Sequence, residues 1–327
     1  MNITVLGAGA WGTALAKVLV ENAHAVTLWA HRPEHLAELA KTGKNERYLP
    51  GITLPENLRL EPDLARAVAG GDGVVVAVPS KAFRDTTARL AEYGGPVVSV
   101  TKGIEYNTGL TMSGVLRQTA PRARIVALSG PTFALEVARG IPTAIVAASE
   151  DAAAALVVQQ VFHRPTFRVY TNSDLLGVEL GGALKNIVAI AAGAGDGLGF
   201  GDNSKAALIT RGIVEMRRLG VARGAHPDTF AGLSGLGDLA ATCYSRLSRN
   251  RAFGERLGRR EPLDHILRTS ATLPEGYPTT RAAWQLARSL DIPTPIIDEC
   301  YALLYEGKSA AQAVQDLTQR ESKAENW

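Results

Sequence analysis

Asn2-Ile3-Thr4-Val5-Leu6 runs directly into Gly7-Ala8-Gly9-Ala10-Trp11-Gly12, and Thr13 to Val20 behind it is compatible with a helix. Strand, glycine turn and helix in that order are what a dinucleotide pyrophosphate requires. Gly7 permits the tight turn, Gly9 lets the backbone approach the phosphates, and Gly12 allows helix and strand to pack closely. The helix N-terminus offers free N–H groups to the anion. A lone G-x-G-x-x-G is weak evidence. Here it follows an apolar strand at the very start and precedes a second strand, Ala25 to Trp29, about 20 residues on.

The second strand ends in Ala30-His31-Arg32, where an enzyme preferring NAD usually places an Asp or Glu for the ribose 2′-hydroxyl. No acid stands there. A guanidinium and an imidazole suit a 2′-phosphate instead, Arg32 by paired charge-assisted bonds, so NADP is the preferred cofactor and NAD the alternative. The plainer reading of Arg32 is a solvated residue ahead of a helix opening at Pro33.

A length of 327 residues fits about two domains, with 46% hydrophobic and 20% charged residues typical of a globular chain. The net charge of +3 comes without any block of like charges, which argues against nucleic acid or a membrane surface as partner. A mild positive bias suits anionic ligands. Cys243 and Cys300 lie far apart in sequence, consistent with a reducing cytosol, and no metal framework is visible. His31 and His35 have helical i,i+4 spacing, but Arg32 and Pro33 occupy the positions where a zinc helix would carry its Glu and no further ligand is close in sequence, so both read as surface residues. Met1 to Ala16 lacks the basic start of a signal peptide, and Leu180 to Ala194 is too short to span a bilayer. A cytoplasmic protein with no membrane span is expected.

Apolar runs recur at Gly73 to Val78, Val97 to Val100, Ile125 to Leu128 and Ala144 to Ala147, with helical stretches between several of them. This is the alternation of a parallel α/β sheet. Three runs end in Pro79-Ser80, Thr101-Lys102-Gly103 and Ser129-Gly130-Pro131-Thr132, and open α/β sheets bind ligands at such strand ends. From Leu175 the pattern is helical: Asp174 to about Ala192, Ser204 to Leu219, Arg249 to Leu257, Thr279 to Leu290, Ile296 to Tyr305, and a last helix after Ser309. The expected plan is a doubly wound, Rossmann-like α/β domain over 1–174 and an all-α domain over 175–327.

Lys185 is the one lysine in the helix that opens at Asp174, and its neighbours at three and four residues are Gly181, Gly182, Val188 and Ala189. An ammonium on so apolar a face either lines a cleft, where desolvation lowers its pKa toward the range useful for proton transfer, or snorkels from a buried helix. Asn186 beside it is suited to orienting a hydroxyl or carbonyl. Downstream, Asp238 presents a carboxylate after Gly235-Leu236-Gly237, followed by Thr242. Ser248-Arg249-Asn250 reads as an N-cap and a helix start suited to a phosphate. Simple capping is the plain alternative for Asp238 and Ser248.

These segments resemble the bacterial NAD(P)-dependent glycerol-3-phosphate dehydrogenases over nearly the whole chain. The resemblance rests on Gly7 to Gly12, Asn45-x-x-Tyr48-Leu49-Pro50-Gly51, Val100 to Gly103, Ser129 to Ala134, Gly182 to Asn186, Gly235 to Leu239, Thr242-Cys243, Ser248 to Asn250 and Glu275-Gly276, all in the family's order. It implies that Lys185 is the general acid-base residue and that Lys102, Gly130, Thr132, Asp238, Ser248, Arg249 and Asn250 contact the substrate, with Asn186 and Thr242 expected beside them from their positions next to Lys185 and after Asp238. It places Ala10, Trp11, His31, Arg32, Lys102, Ala134, Arg249, Leu273 and Glu275 against the nicotinamide cofactor, beside Gly7, Gly9 and Gly12. Ala10, His31, Thr132 and Leu273 stand where serine, arginine, serine and valine are common in relatives, which bears on cofactor preference and affinity. The implied reaction interconverts dihydroxyacetone phosphate and sn-glycerol 3-phosphate by hydride transfer, supplying phospholipid synthesis, in a homodimer. The rivals are an NADP-linked hydroxyacid dehydrogenase of the same plan and a non-catalytic NADP-sensing protein.

Overall fold

In the computed structural model, residues 1–270, 272–322, 324 and 325 are described. The first part alternates β1 (Asn2–Leu6), α1 (Ala10–Glu21), β2 (Ala25–Trp29), α2 (Pro33–Thr42), β3 (Arg59–Leu60), α3 (Leu64–Val68), β4 (Gly73–Val76) and α4 (Ser80–Thr87). It continues through β5 (Pro96–Ser99), α5 (Met112–Thr119), β6 (Arg124–Ser129), α6 (Ala134–Ala138), β7 (Thr143–Ala148), α7 (Ala152–Phe162) and β8 (Phe167–Asn172). The strands form one sheet in the order β3-β2-β1-β4-β5-β6-β7-β8. Because β2 and β4 flank β1 on opposite sides, the strand order reverses there, and a crevice opens beyond the carboxyl ends of β1 and β4. β4 is buried at every residue, as expected of a strand covered on both faces.

Several details depart from expectation. β6 and β7 pair antiparallel, because the five-residue α6 does not cross over the sheet. It packs Ala134, Leu135 and Ala138 with Ala14, Leu49 and Ile52 instead. β4 stops at Val76, short of Val78, where the chain turns toward Pro79, and β5 spans Pro96–Ser99 instead of reaching Val100. β3 and β8 are additional edge strands. His31 is exposed, but His35 is only 8% exposed, because with Leu36 and Leu39 it forms the buried face of α2. Its Nε2 lies 3.2 Å from the Ala8 carbonyl.

The second part is helical, with no strand among its described residues: α8 (Leu175–Gly197), α9 (Asp202–Ala222), α10 (Asp238–Tyr244), α11 (Arg249–Gly258), α12 (Leu263–Thr269), α13 (Gly276–Ser289), α14 (Pro295–Tyr305) and α15 (Ala310–Thr318). At 23 residues α8 is long and apolar enough to cross a membrane, contrary to the shorter stretch expected, but 89% of its most apolar window is buried inside the molecule. It is the core helix around which the others pack. Its approach to α11 is set by glycine: a Cβ on Gly193 would lie 1.9 Å from the Arg251 carbonyl oxygen, and one on Gly254 1.9 Å from that of Ile190. The two backbones touch, which sets the first turn of α11 beside the middle of α8.

Candidate active site

The glycine turn has the geometry its sequence implies. Gly7 adopts φ +121°, and a Cβ there would meet the Ala77 carbonyl oxygen at 2.6 Å, so both conformation and space demand glycine. A Cβ on Gly12 would sit 1.9 Å from the Gly7 oxygen, fixing the close approach of α1 to β1. Gly9, the N-cap of α1, faces open space, with nothing within 4 Å of a Cβ built there. These residues fit a pyrophosphate at the helix start. The turn is propped from behind by Asn45, 1% exposed, whose Nδ2 donates to the Ala8 carbonyl at 3.0 Å and to Thr13 Oγ1 at 2.7 Å. Asn45 opens the Asn45-x-x-Tyr48-Leu49-Pro50-Gly51 segment, whose sequence alone assigns it no role.

Ala10 and Trp11 open α1, and Ala134 packs beside them at the start of α6. At the tip of β2, Arg32 is exposed and its Nη2 donates to the Tyr48 hydroxyl at 2.7 Å, which holds the guanidinium beside the crevice. His31 lies next to it against the edge of Trp29. Leu273 is 43% exposed in the segment leading to Glu275.

The loops after β5 and β6 meet α8 and α10 around three charges. Lys185 is only 6% exposed. Its Nζ lies 2.9 Å from Asp238 Oδ1 and donates to Thr242 Oγ1 at 2.6 Å. Lys102 Nζ takes the other carboxylate oxygen, Oδ2, at 2.6 Å and donates to the Gly130 carbonyl at 2.9 Å. Asp238 therefore caps nothing; it is a buried carboxylate shared by two ammonium groups. Burial works against its ionisation, but Lys102 and Lys185 outweigh it and hold the carboxyl below its ordinary range. For Lys185, burial is the largest influence and lowers the ammonium to about 8, with Lys102 adding to the effect and Asp238 opposing it. Asp238 is aimed by a π-helical turn over Leu233–Gly237, in which the Gly237 amide reaches the Gly232 carbonyl at 3.1 Å. Such turns are rare and recur at functional sites.

Thr132 closes the β6 loop, its hydroxyl 3.2 Å from the Gly130 oxygen. Asn186 Oδ1 accepts from Asn250 Nδ2 at 2.8 Å, and Asn250 Oδ1 accepts from the Gly276 amide at 2.9 Å, tying the starts of α11 and α13 to the residue after Lys185. Ser248 caps α11 by accepting from the Arg251 amide at 3.1 Å. Arg249 remains exposed at that helix start, with Nη1 3.0 Å from Thr272 Oγ1. A positive helix end and a guanidinium thus stand beside a buried, proton-bearing amine.

A dinucleotide-type glycine turn joined to a buried lysine–carboxylate pair and a cationic helix start is the arrangement of a nicotinamide-dependent oxidoreductase. Residues 2–155 match the model of the NAD-dependent glycerol-3-phosphate dehydrogenase N-terminus, and residues 174–315 that of its C-terminus. The glycerol-3-phosphate dehydrogenase [NAD(P)+] of Syntrophotalea carbinolica is 50% identical over 99% of both chains, and that of Chlorobium limicola 48% over the same shares. A crystal structure of glycerol-3-phosphate dehydrogenase from Coxiella burnetii superposes with a TM-score of 0.94 at 38% identity, covering 98% of this chain and 99% of that one. A ketopantoate reductase from Ralstonia eutropha, at 17% identity and a TM-score of 0.62, shares only the fold. The chain belongs to the NAD-dependent glycerol-3-phosphate dehydrogenase family.

Proposed function

We propose that this protein interconverts dihydroxyacetone phosphate and sn-glycerol 3-phosphate, with Lys185 as the proton donor and acceptor. The observation that carries the reading is the buried Lys185 ammonium, paired with Asp238 at 2.9 Å and joined through Asn186 and Asn250 to the helix start that bears Arg249. Held at the Gly7–Gly12 turn and the start of α1, a reduced nicotinamide nucleotide would supply the hydride for the ketone carbon. Lys185 then gives its proton to the oxygen that becomes the hydroxyl, leaving a neutral amine, and its positive charge stabilises that oxygen as negative charge develops. In the oxidative direction the neutral amine takes the hydroxyl proton. Lys102, held between Asp238 and the Gly130 carbonyl, places a second ammonium group beside Lys185. Asn186, Thr132 and Thr242 orient the substrate oxygens, and Ser248, Arg249 and Asn250 seat its phosphate. The nucleotide-binding domain covers 1–174 and the substrate domain 175–327. Cytoplasmic location, homodimeric assembly and a role in phospholipid supply rest on the family likeness. A spectrophotometric assay with dihydroxyacetone phosphate against NADPH and NADH tests the reading: oxidation of neither cofactor would overturn it.

Two substitutions probe the ends of the site. Arg249→Ala is expected to weaken dihydroxyacetone phosphate binding by about 2 kcal/mol, because a charge-assisted contact and a complementary charge are lost together. Wild-type substrate affinity in the variant would move the phosphate elsewhere. At the other end, the Arg32 guanidinium supports preference for NADP. Arg32→Asp should raise the KM for NADPH at least about tenfold more than that for NADH. An equal change for both cofactors would remove the 2′-phosphate assignment.

A further inference from the structure

Among the contacts between the two halves of the molecule, one lies at the strand ends beside the nucleotide crevice and is not used by the reaction described above. Ser80 is the first residue of α4, at the end of the loop that leaves β4, while Glu275 lies on the far side immediately before α13. The Ser80 hydroxyl donates to Glu275 Oε2 at 2.6 Å, and the Ser80 amide donates to Oε1 at 3.3 Å. Both carboxylate oxygens are thus engaged by one residue. The third side is Gly103, the residue after Lys102: a Cβ there would lie 2.9 Å from Ser80 Cβ and 3.5 Å from Glu275 Oε2. Glycine at this point lets the Lys102 loop lie directly against the contact. Asn250, at the start of α11, accepts at 2.9 Å from the amide of Gly276, the residue after Glu275, and the Arg249 charge beside it favours the ionised carboxyl.

Four segments that share no local sequence therefore converge on one carboxylate: the loop after β4, the loop after β5, the start of α11 and the start of α13. We infer that Ser80 and Glu275 form a clasp across the cofactor crevice, in which Ser80 is a positioning residue that holds Glu275 against the bound nicotinamide nucleotide. A carboxylate placed at a crevice rim between two hydrogen-bond donors is oriented to one rotamer, and a group so oriented presents a fixed acceptor edge to any ligand hydroxyl or amide entering beside it. Burial pushes the Glu275 carboxyl up, while its hydrogen bonds to Ser80 and the nearby charges of Arg249 and Lys81 oppose that rise. Losing the Ser80 hydroxyl removes the shorter bond and lets the carboxylate swing toward Arg249 or solvent.

The inference rests on the assignment of Glu275 to the cofactor site, so the test separates the two. Each reduced cofactor is titrated into the substrate-free protein and followed by calorimetry and nicotinamide fluorescence, for wild type, Ser80→Ala, Ser80→Thr, Glu275→Gln and the Ser80→Ala/Glu275→Gln double variant. Ser80→Ala and Glu275→Gln should each weaken cofactor binding about tenfold, with the double variant no weaker than Glu275→Gln alone by more than about twofold. Ser80→Thr, which keeps the hydroxyl, should bind within about threefold of wild type, and KM for dihydroxyacetone phosphate in Ser80→Ala should change less than the cofactor constant. Loss of binding in Glu275→Gln without loss in Ser80→Ala, or multiplied losses in the double variant, would overturn the clasp while leaving Glu275 at the cofactor. Unchanged binding in Glu275→Gln would remove Glu275 from the site and the clasp with it.

Discussion

Lys185→Met should lower turnover at least about a hundredfold while NADPH still binds, since a positioned acid-base group is worth that much and the proposed cofactor contacts lie mainly in the α/β part. Methionine keeps the length and apolar stem of lysine on a face of α8 that is buried anyway, so the fold should persist. It leaves Asp238 with only the Lys102 ammonium as counter-charge, which still satisfies one of its oxygens. The wild-type enzyme carries a second signature of the same group. With the Lys185 ammonium at about 8, the protonated donor is lost as pH rises through that value. Ketone reduction should therefore fall above pH 8, and alcohol oxidation, which needs the neutral amine, should rise across the same range. Steady-state rates in both directions, with cofactor titration on the same preparation, decide the matter. Near-normal turnover with normal cofactor affinity would transfer the acid role to Lys102.

The parts of this molecule legible in the sequence are those whose cause is local. The β1 turn and α1 follow from residues adjacent in the chain, and every helix expected after Leu175 forms, because a 3.6-residue apolar period reports its own burial. β8 is different: Arg168 and Tyr170 break its apolar run because this edge strand exposes one face. β3 has only two residues, too few to make a pattern. The reversal of direction between β6 and β7 depends on where α6 packs, which no strand records. The site divides in the same way. Lys185 stands out because its own helix offers it no polar neighbour, whereas its partner Asp238, and the second claim of Lys102 on that carboxylate, exist only in three dimensions. Ser248 does cap its helix, so capping and phosphate seating are compatible there, while Asp238 turns out to cap nothing. Asn45 and Ser80 carry no periodicity or charge that would single them out, and their roles come from what folds onto them.

The shared carboxylate makes Asp238→Asn the more severe test of how the site sets its protonation. In the wild type, burial and the Lys102 charge both disfavour the Lys185 ammonium, and Asp238 is the group that opposes them. Asparagine keeps the shape and one acceptor but removes the charge, so the Lys185 pKa should drop well below about 8. The reductive pH profile should shift to lower pH, with turnover at neutral pH falling at least about tenfold as the protonated donor becomes scarce. Stability should suffer too. Two largely buried ammonium groups lose their counter-charge, and breaking such a pair from one side costs about 3–5 kcal/mol. The sign of its pH dependence is fixed: a lysine whose folded pKa lies below its unfolded value binds fewer protons when folded, so stability rises with pH until the folded and unfolded forms are both neutral. In the variant that rise should begin at lower pH than in wild type, because Lys185 discharges earlier. Denaturant unfolding at several pH values, alongside the reductive rate profile, measures both consequences, and an unshifted profile with unchanged stability would show that Asp238 does not govern the charge on Lys185.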